Sequence, residues 1–312
     1  MKKRYLVYFF VAVLTAVGCG KKEGVVPSEC KIDQVVASEE RYQENELFYS
    51  TPEYVSEQWT WDDDAVIRID YYLDNQYSEY FFYKRNRIIC TRVPAYDLRT
   101  EFQYDGRRLE KVEVYRKDEL AATMSFERDD RVMSEIVFRR IEADSNAEWP
   151  LWTPMPLRTV VGNDAAKAIG LDVAKQMQCG HSTAKSGNEV RYKLTWDNGN
   201  VVRIDVSGNV ENPYSISLSY DNKKNPYEQL YANHELNESI FGFKMLSEHN
   251  VTHIHMPYQN WGVTDFRYGY TYEGDYPLTR KLIFNYRTQS ISFDSVTIRV
   301  EKTEKYVYKK EL

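Results

Sequence analysis

Three of the five histidines lie within seven residues, at His249, His253 and His255. On a β-strand, side chains two residues apart project from the same face, so His253 and His255 would stand side by side. Two such imidazoles can share a zinc ion when a third ligand arrives from elsewhere, and His249 is a candidate for that position. The pattern predicts one alternative function, a metal-dependent hydrolase using His253 and His255. The competing interpretation places both imidazoles on a water-facing strand with Ile254 pointing inward.

Other catalytic chemistry has little support in the sequence. It contains no nucleophile elbow, phosphate-binding loop, dinucleotide-binding fingerprint or HExxH zinc motif. Its acidic pairs, such as Asp129-Asp130, stand in predicted turns, where Asp is favoured for backbone reasons. We therefore expect no catalytic residues, no cofactor apart from the zinc alternative, and a non-enzymatic function.

Two aromatic segments are the candidates for ligand binding. Trp149 and Trp152 lie in a proline-rich segment, and Tyr258 and Trp261 follow the histidines. Exposed tryptophan and tyrosine rings in loops suit the recognition of flat ligands such as sugars. We expect these four residues to bind a glycan, a peptide or a partner protein, with packing beneath a sheet as the alternative.

The chain repeats a unit made of an aromatic residue, a polar turn and an aliphatic residue. In the first half the aromatic residues are Trp61, Tyr83, Tyr104 and Phe126, spaced by 22, 21 and 22 residues. In the second half they are Trp196, Tyr220 and Tyr272. Further turn signals fall between them, near residues 73–76, 94–97 and 116–119. Short strands with turns at such regular spacing predict an antiparallel meander.

The strands between these turns alternate in polarity. Tyr192, Leu194 and Trp196 share one face, while Arg191, Lys193 and Thr195 share the other. Such alternation is typical of strands that are buried on one side only. We predict an all-β fold, an antiparallel meander of β-hairpin repeats that forms a large twisted sheet or a barrel-like closed sheet.

One insertion, at about residues 141–190, interrupts the meander. After the proline-rich segment, the residues from Asp164 to Gln178 predict one short helix. Asn163 or Asp164 can cap its first turn, and Gly180 can end it. A sheet with one apolar face has to be covered, and this insertion is a candidate for the cover.

The N-terminus carries the features of an export signal. Met1 to Arg4 is cationic, and the 13 residues from Tyr5 to Val17 carry no charge, which is too short for a membrane-spanning helix. Ala16-Val17-Gly18-Cys19 resembles the lipobox of bacterial lipoproteins, in which the Cys is lipidated. We therefore expect residues 1–18 to be a signal peptide, 19–45 a lipid-anchored tether beginning at Cys19, and 46–312 the β-hairpin domain.

The remaining composition gives weaker constraints. The formal net charge is −6, with 41 basic and 47 acidic residues interspersed, so no basic face suggests nucleic-acid binding. Beyond Cys19 the cysteines are Cys30, Cys90 and Cys179, which permit at most one internal disulfide. The sequence does not select the pair.

Two motifs resemble a known family. The segments Tyr220-Asp221-Asn222-Lys223-Lys224-Asn225-Pro226-Tyr227 and Leu246-Ser247-Glu248-His249-Asn250-Val251-Thr252 are similar to those of uncharacterised Bacteroidetes lipoproteins with YD-like hairpin repeats. The resemblance implies a porin-like antiparallel β fold and a cell-envelope location, and it implies no catalytic residues.

We expect a lipid-anchored envelope protein, in the outer membrane, whose partners are the membrane and a glycan or envelope protein. The sequence favours neither leaflet. A membrane-spanning β-barrel is the other alternative, since its strands show the same alternation with the polar face inward. The apparent strand length of 6–8 residues counts against it, because a bilayer needs about 9–11 residues per strand.

Overall fold

The computed structural model describes residues 31–63, 65–72, 76–85, 87–106, 108–129, 132–141, 189–208, 213–226, 247–256, 265–289 and 295–309. These residues form seventeen strands and a short 3-10 helix, Pro94–Tyr96. The strands are β1 Ile32–Gln43, β2 Glu46–Ser50, β3 Tyr54–Asp62, β4 Ala65–Tyr71, β5 Tyr77–Lys84, β6 Arg87–Val93, β7 Leu98–Asp105, β8 Arg108–Arg116, β9 Glu119–Asp129, β10 Val132–Arg140, β11 Glu189–Asp197, β12 Asn200–Gly208, β13 Tyr214–Lys224, β14 His249–His255, β15 Asp265–Glu273, β16 Tyr276–Gln289 and β17 Ser295–Tyr308.

The strands form a closed antiparallel barrel. From β3 to β17 each strand pairs with the next, and β1 pairs with both β17 and β3, which closes a barrel of 16 strands. The remaining strand, β2, pairs with β1 alone and extends the wall at one end. The predicted all-β antiparallel meander is therefore confirmed. Of the two predicted forms, a large twisted sheet and a closed barrel-like sheet, the protein adopts the closed one.

The apolar side chains lie inside the barrel. On β11, Val190, Tyr192 and Leu194 are buried, while Lys193 and Thr195 between them are exposed, as the alternation predicts. Buried apolar side chains from all 16 strands of the barrel belong to one hydrophobic cluster, which the interior of the closed wall holds. The apolar face is therefore the inner one, and the alternate, mainly polar face points outward.

Tight turns join the strands at both ends of the barrel. At Glu44-Asn45, Lys117-Asp118 and Asn198-Gly199 both turn residues have positive φ, between 47° and 75°. Two-residue turns of this kind match the right-handed twist of the paired strands. We call the end that carries the aromatic turn units, with turns near Asp63, Arg85, Gly106, Asn198 and Gly274, the repeat rim. The chain also enters there, since Lys31 Nζ donates a hydrogen bond to the Asp63 carbonyl, 3.1 Å away.

Each aromatic turn unit contains a β-bulge. In the first unit Thr60 pairs with Arg68 but Trp61 pairs with Val66, so Ile67 has no opposite residue. The same extra residue occurs beside Tyr83, Tyr104 and Trp196. The bulge increases the local twist. The aliphatic residue after the turn pairs with the strand before it but not with the strand that follows, as Val66 pairs with β3 and not with β5. Its carbonyl on that side needs another hydrogen-bond donor.

The aromatic residue of the following unit supplies this donor. Tyr83 Oη donates to the Val66 carbonyl and Tyr104 Oη to the Ile88 carbonyl, each over 2.8 Å. The same bond, at 2.6 to 2.8 Å, is made in five more places of the described barrel, by Trp61 to Ile32, Trp196 to Met133, Tyr220 to Val201, Tyr270 to Val251 and Tyr308 to Pro277. In the β15–β16 hairpin the donor is Tyr270, two residues before the Tyr272 of the sequence repeat. The repeat therefore reflects a ladder of bonds that fastens hairpins to the strand or hairpin before them, except at Phe126, which has no polar side-chain atom.

Charged side chains line the inner face where the chain's two ends meet. Arg280 Nε donates to Glu304 over 2.8 Å, and Lys302 lies 3.2 Å from the same carboxylate. Glu39, opposite Lys302 in the β1–β17 pairing, accepts a bond of 2.5 Å from Arg41. Because slipping these strands by one residue would bury unpaired charges, the network favours a single register for closure.

Two sequence expectations need correction. Strand β1 lies inside the stretch 19–45 expected to be a tether, so the barrel begins at Ile32. Glu39 and Arg41 occupy inward positions of β1 and break the apolar alternation by which a strand is recognised. The strands also reach 14 residues, so their length does not exclude a membrane-spanning barrel.

The predicted signal peptide and the helix from Asp164 to Gln178 lie outside the described residues. Within the described part of the chain, no helix is long and apolar enough to cross a membrane.

Candidate functional site

The structure brings two of the three clustered histidines together. His253 and His255 lie on the outer face of β14, with ring centroids 6.4 Å apart. Asp265, the first residue of β15, lies between them, with its Oδ1 2.6 Å from His253 Nε2 and 3.1 Å from His255 Nδ1. Ile254 is buried inside the barrel. All three polar side chains are partly exposed, so the cluster is a surface feature.

His249 does not join this pair. It begins β14 at the repeat rim, where its Nδ1 lies 3.0 Å from the side chain of Asn200. Across the described residues, no group of three or more His, Cys, Asp or Glu side chains is placed to hold a metal ion. The zinc alternative therefore stays a prediction, and Asp265 is the neighbouring carboxylate that the sequence analysis missed.

The two motifs of the family resemblance meet at the repeat rim. Ser247 Oγ donates to Tyr220 Oη over 2.9 Å, and Asn225 Nδ2 donates to the Ser247 carbonyl over 3.0 Å. The Asp221 carboxylate accepts bonds from the Asn250 backbone and from the hydroxyl of Tyr272. These residues close the base of the segment between β13 and β14. These hydrogen bonds give both motifs a structural role, so a catalytic role is not needed to explain them.

The other sequence candidates fall elsewhere. Cys19, Trp149, Trp152, Tyr258 and Trp261 lie outside the described residues. Cys90 has a free thiol, so it is not a member of the one disulfide that the sequence permits, and burial raises the pKa of that thiol.

A row of arginine and aromatic side chains crosses the outer wall from β4 to β8. Arg68 lies opposite Tyr80, Tyr80 opposite Arg92, Arg92 opposite Arg99, and Arg99 opposite Tyr115. We call these five residues the arginine–tyrosine row. Since neighbouring strands lie about 4.8 Å apart, the row extends for about 19 Å at right angles to the strands.

Aromatic rings support the guanidinium groups of the row. Arg68 lies over Tyr80 and Arg99 over Tyr115, with 5.7 and 4.4 Å between the guanidinium carbon and the ring centroid. Arg92 lies over Phe82, two residues along β5 from Tyr80, at 5.5 Å. A guanidinium stacked in this way keeps its N–H groups free to point sideways, and it is attracted by the face of the ring.

Carboxylates balance part of the charge. Asp70 accepts two bonds of 2.7 Å from Arg68, and Glu101 lies 3.0 Å from Arg99. A hydrogen bond from Lys111 lowers the pKa of Glu113, and the bond from Tyr115 to that carboxylate raises the pKa of the phenol. Asp118 also lies 3.8 Å from Arg99. Within the described barrel Arg92 has no carboxylate partner, so the unbalanced positive charge of the row lies at Arg92.

The row was not visible in the sequence because each strand contributes one residue to it. Its members are 12, 12, 7 and 16 positions apart, so no local motif marks them. The only available signal was indirect, since the turn positions fix the register of each hairpin and could have placed these side chains opposite one another.

Comparisons with known proteins give the following. No family model matches the chain, and no curated protein matches it. Among solved structures, the chain is similar to a porin-like protein from Bacteroides uniformis, with 9% sequence identity and a TM-score of 0.46 over 89% of this chain and 98% of that one.

Proposed function

We propose that this chain is a non-enzymatic binding protein of the bacterial cell envelope, held to the outer membrane by lipid on Cys19. Its barrel stands in water and uses the outer wall to bind an envelope glycan, peptide or protein. The observation that carries the proposal is the polarity of the wall, which is apolar inside and charged outside.

The outer face is poorly suited to contact with lipid tails. Arg191 lies 2.6 Å from Glu189 and 3.0 Å from Glu135, and Lys281 lies 2.5 Å from Glu301, all on the outer wall. A charged side chain on the lipid face of a membrane barrel costs about 2–4 kcal/mol near the bilayer centre. A belt of such residues argues against the membrane-spanning alternative and for a wall that faces water.

The position of the chain's entry suggests how the barrel is displayed. Lys31 lies at the repeat rim, twelve positions after Cys19 in the chain. A segment of that length spans at most about 40 Å. The repeat rim would then face the membrane, and the side wall with its arginine–tyrosine row would stay open to the envelope.

The test compares membrane attachment with and without the anchor. Full-length protein should incorporate labelled palmitate and fractionate with the outer membrane, whereas Cys19→Ser should be unlabelled and be found in the soluble fraction. Cys90→Ser, which changes a half-buried free thiol, is the matched control and should behave like the wild type. Residues 20–312 should be monodisperse without detergent.

Two results would contradict the proposal. One is a Cys19→Ser protein that remains in the membrane after alkaline extraction. The other is a chain of residues 20–312 that needs detergent to stay dispersed, as a lipid-facing wall would require.

A further inference from the structure

We infer that the arginine–tyrosine row is a binding site for an acidic glycan, a polymer whose sugar rings carry carboxylate or sulfate groups. The inference rests on the proposed function, because the row can bind such a ligand only if the outer wall faces water.

The charges at the centre of the row point to an anion. Arg92 and Arg99 lie directly opposite each other on β6 and β7. Like charges in such a cross-strand pair destabilise a sheet, and neither hydrophobic packing nor strand pairing requires two arginines there. A carboxylate or sulfate between them would accept hydrogen bonds from both guanidinium groups.

The site is already organised for this contact. Phe82 holds the guanidinium of Arg92, and Tyr115 holds that of Arg99. Glu101 and Asp118 hold Arg99 at 3.0 and 3.8 Å, whereas Arg92 is exposed and has no carboxylate partner within the described barrel. Because both guanidinium groups are already held by aromatic rings, binding a ligand costs less side-chain conformational entropy, which favours affinity.

The shape of the row favours a glycan over a peptide. An extended peptide usually binds a sheet by adding a strand, which needs a free edge. Strands β5, β6 and β7 are paired on both sides, so their backbone groups are occupied. The row offers instead a flat line of side chains about 19 Å long. Tyr80, between Arg68 and Arg92 in this line, provides a hydroxyl group for the hydroxyls of a sugar chain, whereas the ring and hydroxyl of Tyr115 are engaged by Arg99 and Glu113.

The experiment measures binding of residues 20–312 to polygalacturonate, a polymer of uronic acid, by native affinity electrophoresis and by calorimetry with its oligomers. Dextran is the uncharged comparison, and poly-glutamate is the acidic polypeptide comparison. The double variant Arg92→Gln with Arg99→Gln removes the central charge from an exposed surface. Arg203→Gln, another outer-wall arginine with a carboxylate partner in Asp205, is the matched control.

We expect polygalacturonate in the gel to retard the electrophoretic migration of the wild type and of Arg203→Gln equally. The double variant should bind at least about tenfold more weakly, since it loses the charge-assisted hydrogen bonds of two guanidinium groups. Arg92→Lys keeps the positive charge and loses the planar guanidinium group, so its affinity should lie between those of the wild type and the double variant. An unchanged urea midpoint for each variant would show that the barrel is intact.

Several outcomes would overturn the inference. These are no retardation of the wild type by polygalacturonate, an equal loss in Arg203→Gln, equal binding of dextran, or equal binding of poly-glutamate. If residues 20–312 remain monodisperse without detergent and Cys19 is lipidated, any of these results refutes the acidic-glycan site and leaves the proposed envelope function standing.

Discussion

The bond ladder at the repeat rim makes a strong prediction at Tyr220. Three groups there form a closed ring of hydrogen bonds. The Val201 N–H donates to Ser247 Oγ over 3.1 Å, Ser247 Oγ donates to Tyr220 Oη over 2.9 Å, and Tyr220 Oη donates to the Val201 carbonyl over 2.6 Å. Ser247 is fully buried. Replacing Tyr220 with Phe removes one oxygen atom and leaves the ring of the side chain in place.

The magnitude follows from the groups left without a partner. Tyr220→Phe removes the acceptor of the Ser247 hydroxyl and the donor to the Val201 carbonyl. A buried polar group left unsatisfied costs about 1–3 kcal/mol, so we expect a loss of about 2–4 kcal/mol in the free energy of unfolding. Ser247→Ala should cost a comparable amount. The double variant should lose less than the sum, because both changes break the same ring.

The assay is urea unfolding of residues 20–312, followed by tryptophan fluorescence. Tyr220→Phe should lower the midpoint without changing the slope of the transition. Tyr42→Phe is the control, because its hydroxyl bonds to Glu40 on the outer face and water can replace that bond. If the midpoints of Tyr220→Phe and Tyr42→Phe were equal, the ladder would not stabilise the barrel and the reasoning would fail.

Three more predictions follow from buried or strained positions. Burial raises the pKa of Glu79 to about 7 from its ordinary 4.5, so the folded state holds a proton that the unfolded state has released. The free energy of unfolding should therefore fall by about 3 kcal/mol as the pH rises from about 4.5 to 7, and Glu79→Gln should flatten that profile in urea titrations; identical profiles would contradict this. Glu304→Leu should destabilise the barrel by about 3 kcal/mol or more because Arg280 and Lys302 lose a shared carboxylate, and adding Arg280→Met should recover the part of the loss that comes from Arg280 in thermal unfolding. A double variant as unstable as the single one would argue against that account. Gly208 has φ of +93° and pairs with Val190. A Cβ on Gly208 would lie 2.4 Å from the carbonyl oxygen of Glu189, the residue before Val190, whereas a Cβ on Gly106 meets nothing within 4 Å. Gly208→Ala should therefore lower the melting temperature clearly more than Gly106→Ala, for which only a left-handed cost of about 1 kcal/mol applies; equal effects would refute the contact.

Much of the wall was predictable because its causes are local. The turn positions follow from Asp, Asn and Gly, which adopt positive φ readily, and the structure places turns at the predicted sites near Asp63, Asp97 and Asn198. The division of each strand into an apolar and a polar face follows from a period of two, as on β11. The position of the repeat aromatics was visible in the sequence. The hydrogen bonds of residues such as Tyr83 and Tyr104 were not, because their acceptors are carbonyl groups in the preceding hairpin.

The candidate site was less predictable. The sequence placed His253 and His255 on one face correctly, since they are neighbours on one strand. It could not supply Asp265, which arrives on the next strand, and it placed His249 near them although that residue lies at the other end of β14. Adjacency along a strand follows from the sequence, whereas adjacency across strands depends on register.

What the sequence by itself determined is an alternating, regularly turning chain with a lipobox-like N-terminus. Only the tertiary structure decided that the sheet closes, that its apolar face is the inner one, and that five separate strands align the arginine–tyrosine row. Closure joins β1 to β17, more than 250 residues apart, through pairs such as Val35 with Tyr306. Local periodicity is the same in an open sheet, a barrel with an apolar interior and a barrel with a polar one, because it fixes how side chains alternate and leaves undetermined which face the closed wall encloses.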